Sequence, residues 1–70
     1  MKHPSWYIRG RVYVFIRRYL HDHGYAPSQR EIAAGADVSR GKVTRYLRDL
    51  EADGLIVRTE AYQRNIQLAA

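Results

Sequence analysis

The apolar residues of this chain recur at spacings that mark out its elements before any other property is considered. After Pro4-Ser5, which has the form of a helix start, Ile8, Val12, Phe15, Ile16, Tyr19 and Leu20 follow the i, i+4, i+7, i+8 intervals of one helical face, and Gly24 ends the run. The opposite side carries Arg11, Arg17, Arg18 and His21, as a solvated face does. Trp6, Tyr7, Tyr13 and Val14 nevertheless add more apolar surface than one buried stripe requires. Ser28-Gln29-Arg30-Glu31 is a capping box, in which the Ser28 hydroxyl and the Glu31 carboxylate each satisfy a free backbone N–H at a helix start. A short helix is expected from there to about Gly35. A second start signal at Ser39 precedes a stripe of Val43, Tyr46, Leu47 and Leu50, which predicts a third helix to about Asp53, closed by Gly54. Leu55 to Thr59 reads as a strand and Asn65 to Leu68 alternates as a second, with a hairpin tip between them.

The predicted architecture is mainly α with a small β-hairpin: three helices followed by a two-stranded wing, a winged helix-turn-helix. Its second and third helices are joined by only a few residues, which is the unit that lays a helix in the major groove of DNA. Nothing repeats and no segment has linker composition, so residues 1–70 are read as one domain. Seventy residues at 46% hydrophobic content bury one modest core but do not wall a two-lobed substrate cleft. With no cysteine, neither a disulfide nor a thiolate metal site braces that core. No run approaches the roughly 20 apolar residues of a membrane span, and the start lacks the apolar centre of a signal peptide. The expected location is the cytoplasm, a prokaryotic-type cytosol or nucleoid.

The formal charge of +5 changes the picture, because Lys2 and Lys42 are the only lysines among the 12 basic residues. Arginine's planar fork suits phosphates and guanine edges, so a polyanionic partner is favoured. If Val43, Leu47 and Leu50 face the core, about 100° per residue turns Gly41, Thr44, Arg45 and Arg48 to the far side, with Ser39 and Arg40 at the helix start. These are the candidate readers of a groove; the plainer reading is an exposed charged face with a tolerated glycine. Ser28, Gln29 and Arg30 stand at a helix N-terminus that suits a phosphate oxygen, although capping alone accounts for Ser28. Arg58, Tyr62, Gln63 and Arg64 would lay the wing on a neighbouring phosphate or in the minor groove, against the alternative of a polar, solvated turn.

Other chemistry finds less support. His21 and His23 are two apart on a helix and point nearly opposite ways, so no metal site is assigned. His3 lies near the terminus, no nucleophile and base assemble, and no glycine-rich phosphate loop is present; no enzyme activity and no cofactor are expected. The main rival is a winged helix that serves as a protein-interaction or assembly module through an apolar patch of Trp6, Tyr7, Tyr13 and Val14. The two readings combine if that patch joins a homodimer or a second chain, since a two-fold dimer reads two half-sites. A single-strand or RNA binder would place its aromatics on a sheet or groove. Here most of them fall on the first helix.

Several segments also resemble a known family. Gly24-Tyr25-Ala26-Pro27-Ser28-Gln29-Arg30-Glu31-Ile32-Ala33 is similar to the segment that opens the second helix of LexA-type repressors. Val43-Thr44-Arg45-Tyr46-Leu47, Leu50-Glu51-Ala52-Asp53-Gly54-Leu55-Ile56 and Arg64-Asn65-Ile66-Gln67-Leu68 are similar in order and spacing to that family's recognition helix, helix end and wing. The resemblance covers roughly residues 12 to 68 and implies a repressor that binds double-stranded DNA. Val38 to Val43 is one residue shorter than in LexA-type domains, and Asp37 stands where their turn usually has glycine. LexA proteins continue into a self-cleaving, dimerising protease domain, whereas this sequence stops after the wing. The operator, the cleavage switch and that dimer interface are therefore not carried over.

Overall fold

Pro4, with φ −65° and ψ 155°, is the N-cap of α1 (Ser5–His23), and its carbonyl accepts from the N–H groups of Tyr7 and Ile8. The computed structural model describes residues 3–59 and 64–69. At the other end Gly24 adopts φ 79°, a left-handed conformation that costs glycine nothing, and donates its N–H to the Leu20 carbonyl. α2 (Gln29–Ala36) begins at the expected capping box, with Ser28 Oγ accepting from the Glu31 N–H and Glu31 accepting from the Ser28 N–H. α3 (Arg40–Ala52) starts at Ser39, and Gly54 at φ 77° closes it with the Leu55 N–H bonded back to the Leu50 carbonyl.

The hairpin pairs β1 (Ile56–Arg58) with β2 (Ile66–Leu68) antiparallel, Val57 opposite Gln67. Both strands are shorter than the sequence predicts. Pairing nevertheless continues past their ends, because the Thr59 N–H donates to Asn65 and the Ala69 N–H to Leu55.

Each element contributes to one core. Val12 and Ile16 come from α1, Ile32 and Ala36 from α2, the stripe Val43, Tyr46, Leu47 and Leu50 from α3, and Ile56 and Ile66 from the hairpin. Ala26 and Pro27 bury the α1–α2 connection as well. The remaining apolar residues of the α1 face, Ile8, Phe15 and Leu20, pack half-buried against this cluster.

Two residues of α1 depart from expectation. Tyr13 is half-buried against the core, with the Arg17 guanidinium 5.7 Å from its ring centre, so it does not belong to the exposed apolar surplus. Arg11 is not a merely solvated cation: its Nη2 donates to the Ala36 carbonyl at 2.7 Å and so satisfies the end of α2. The α2–α3 turn is resolved at Asp37, the non-glycine residue that takes the left-handed cap at φ 57°. Both its N–H and that of Val38 reach the Ala33 carbonyl. Gly35 has a different duty, because a Cβ there would run into the Phe15 ring. Glycine at that position lets α1 and α2 pack closely, which offsets its cost within a helix. Three helices and a two-stranded wing make up a winged helix-turn-helix, mainly helical, as the residue pattern predicts.

Candidate nucleic-acid interface

Burial of Val43, Tyr46, Leu47 and Leu50 fixes the rotation of α3 about its axis. Gly41, Arg45 and Arg48 consequently form an exposed outward stripe, with Arg40 and Lys42 exposed at its first turn. Arg45 and Arg48 make no hydrogen bond or ion pair among the described residues. Among the described residues nothing from outside its own helix turn lies within 4 Å of where a Gly41 Cβ would be, so their packing does not demand glycine there. Ser39 caps through its backbone, and its side chain makes no cap hydrogen bond. Asp49, Glu51 and Asp53 occupy the far end of α3, so its basic character is concentrated in the first three turns.

Thr44 is half-buried and donates from Oγ1 to Gln29 Oε1 at 3.2 Å. Two residues singled out separately in the sequence thus form a tie between the start of α2 and the middle of α3. Beside that tie, the start of α2, the first turn of α3 and the hairpin enclose a cleft of about 630 Å³. Arg30, Arg40, Arg58 and Arg64 line it together with Ser28, Gln29 and Asn65. Arg30, Arg40 and Arg58 bring three guanidinium groups to a concave surface beside the start of α2, an arrangement suited to a sugar-phosphate chain, while the fourth, Arg64, is paired with Glu31, which also lines the cleft.

Arg64 does not point outward from this cleft. Its backbone is left-handed at φ 54°, and Nη1 donates to Glu31 Oε1 at 2.7 Å, to the Ala26 carbonyl at 2.9 Å and to the Tyr19 hydroxyl at 3.3 Å. The guanidinium also lies 4.8 Å from the Tyr25 ring centre, and Tyr19 donates its own proton to Glu31 Oε2 at 2.9 Å. The backbone N–H of Ser28, then the Arg64 guanidinium and the Tyr19 hydroxyl, hold the Glu31 carboxyl well below its ordinary 4.5, at about 2. Burial is the main cause that pushes the Tyr19 phenol up.

Because the folded-state value of Glu31 lies below the ordinary one, its ionised form stabilises the fold above pH 4.5, and that contribution is lost as pH falls toward 2. Acid unfolding followed by circular dichroism is expected to show the difference. Glu31→Gln should be less stable than the parent at neutral pH and should lose less of its stability across that window.

Of the residues expected to meet nucleic acid, Ser28, Gln29, Arg30, Ser39, Arg40, Gly41, Thr44, Arg45, Arg48 and Arg58 lie on α2, α3 and the adjoining face of the hairpin. Tyr62 and Gln63 lie outside the described residues. Lys42, exposed in the first turn of α3, and Asn65, in the cleft lining, join this surface although neither is among the expected contacts. Lys42 flanks the core stripe, and its signal was the general excess of cations on α3; Asn65 is drawn into the cleft by the hairpin register, which the sequence does not specify. Trp6, Tyr7 and Val14 are 65%, 41% and 52% exposed on the outer face of α1, away from this surface.

A family model described as the MarR family matches residues 18–63. The chain is 41% identical over 59 residues to LexA repressor 1 of Nocardia farcinica, covering 83% of this chain and 27% of that protein. It is equally similar, at 41% over 59 residues, to the LexA repressor of Syntrophotalea carbinolica, of which it covers 29%. The LexA repressor of a Roseiflexus species is 44% identical over 55 residues, which is 77% of this chain and 25% of the repressor. The chain therefore spans less than a third of the length of these relatives. A match over residues 18–63, which takes in the end of α1, all of α2 and α3 and the strand β1, together with 41% identity to LexA repressors over most of the chain, shows that the chain belongs to the MarR family, as a LexA-like winged helix-turn-helix DNA-binding domain.

Proposed function

We propose that this chain binds double-stranded DNA sequence-specifically as the DNA-binding part of a transcriptional repressor, reading the major groove with α3. The observation that carries the reading is the outward stripe of Gly41, Arg45 and Arg48. Its two arginines make no hydrogen bond or ion pair among the described residues, and it lies on the helix that also contributes Arg40 to the basic cleft. Arg45 and Arg48 are the base readers, each able to give two hydrogen bonds to guanine O6 and N7. Gly41 lets the helix approach the groove closely. Ser28, Gln29, Arg30, Ser39, Arg40 and Arg58 position the domain on phosphates, and Thr44 acts through its tie to Gln29. Tyr62 and Gln63 extend the wing contacts. Arg64, bonded inward, is removed from the DNA contacts.

The test is titration of duplex and single-stranded DNA across a range of salt. Duplex is expected to win, with a slope of log K against log salt of about −4 to −7 for five to eight phosphates. A nearly flat salt dependence, or preference for the single strand, overturns the reading.

The exposed Trp6, Tyr7 and Val14 favour a second role for α1 as the surface that meets another chain, either a second copy or a partner. Gly10 lies between them with open space around it. A pairing of this kind would give the repressor two half-sites. Sedimentation equilibrium with and without duplex checks self-association, and a monomer throughout removes the homodimer.

A further inference from the structure

We infer that Arg64 and Glu31 form a pin that sets the wing against the start of α2, making both of them positioning residues for DNA binding rather than DNA contacts. The inference rests on the duplex-binding reading above and adds to it the means by which the two walls of the basic cleft keep their distance.

The geometry is that of a three-way joint. One Arg64 nitrogen bridges a side chain of α2, a carbonyl of the α1–α2 connection and a hydroxyl of α1. Glu31 answers with both oxygens: Oε1 accepts from Arg64 and from the Ser28 backbone N–H, and Oε2 accepts from Tyr19. The carboxylate that completes the α2 cap is therefore the one that holds the hairpin. Arg64 also keeps a left-handed backbone at a place where glycine would be unstrained, while its side chain makes every contact named above.

Among the described residues the hairpin is anchored in the core at two positions, and Arg64 adds a polar tie to the helices beside them. Ile56 and Ile66 are its buried residues, whereas Val57, Gln67 and Leu68 are exposed. Arg58, on the wing wall of the cleft, takes its position relative to Arg30 and Arg40 from whatever fixes the hairpin. When the pin is released, the phosphate contacts of the two walls no longer fall on one backbone together.

Electrostatics alone makes the opposite prediction for Glu31. Removing a negative charge from a surface that faces a polyanion strengthens binding, and more so if it frees Arg64 to reach a phosphate. The pin predicts weakening. Glu31→Gln is suited to the comparison because glutamine at this position still completes a capping box, so α2 keeps its start.

The experiment measures binding of a random-sequence duplex of about 20 base pairs, at low salt, to the parent chain, Glu31→Gln, Arg64→Gln and the double variant. All are assayed below the melting temperature that circular dichroism gives each one. The pin predicts that each single variant binds about tenfold more weakly and that the double variant binds no worse than the weaker single, as for two halves of one interaction. If Glu31→Gln binds as tightly as the parent or more tightly, or if the two losses multiply, the pin is overturned while duplex binding stands. A lower melting temperature with unchanged affinity also overturns it, because the contact then serves the fold alone. Failure of the parent chain to bind the duplex overturns the DNA reading and this role with it.

Discussion

Replacing Leu47 with alanine is expected to leave the chain largely unfolded at 37 °C. Leu47 is fully buried in the α3 stripe that joins α1, α2 and the hairpin. Truncating a leucine in such a place costs about 2–5 kcal/mol in lost transfer energy and residual cavity. A core of this size supplies only about 3–5 kcal/mol of net stability, so the substitution removes most of it. Urea titration followed by circular dichroism measures the loss, and Leu47→Met is the control, expected to cost less than about 1.5 kcal/mol because volume is kept. Added duplex should raise the folded fraction of Leu47→Ala by mass action, which separates a folding defect from a binding one. A variant as stable as the parent would contradict the packing described.

Arg45→Ala is expected to do the reverse, leaving the fold intact and removing discrimination at one base pair. The side chain is exposed and has no partner among the described residues, so its loss should move stability by no more than about 0.5 kcal/mol. A lost bidentate contact to guanine costs about 1–3 kcal/mol of discrimination, roughly five- to 150-fold in relative affinity. Selection from random duplexes, followed by titration of the best sequence and its single-base variants, reads the effect. Flattened preference at one position, with the salt slope nearly unchanged, makes Arg45 a base reader. Equal weakening on all sequences, with a slope shallower by about 0.9, makes it a phosphate contact instead. Lysine should not restore the preference, since an ammonium lacks the planar fork.

How much of this was legible beforehand depends on how local the signal is. The caps at Ser28, Ser39, Gly24 and Gly54 are written in short stretches of sequence, and the four-residue core stripe of α3 in its helical period. Those elements and the rotation of α3 follow from nearby residues. The roles of Arg11, Gly35 and Arg64 do not, because each is decided by a partner far along the chain: Ala36, Phe15, and the set of Tyr19, Ala26 and Glu31. A lone arginine in a polar hairpin has the same local signature whether it faces DNA or turns inward. Only the packing of the hairpin on the helices separates the two. Asp37 lies between these cases: the need for a left-handed turn residue is visible near Gly35, but its location depends on the close approach of Phe15 that fixes the glycine earlier.

The reach of Arg64 also bears on the order in which the molecule assembles. Its three hydrogen bonds span 45, 38 and 33 residues, whereas the helical caps close within a few. Contacts of such long range form late, after loop-closure entropy has been offset by the helices packing together. The wing is accordingly expected to dock on a helical nucleus that is already formed, so Arg64→Gln should hasten unfolding while hardly slowing refolding. With so little stability to spare in the chain, hydrogen exchange is expected to find the wing amides opening more often than those of the helices, and more often still in Arg64→Gln.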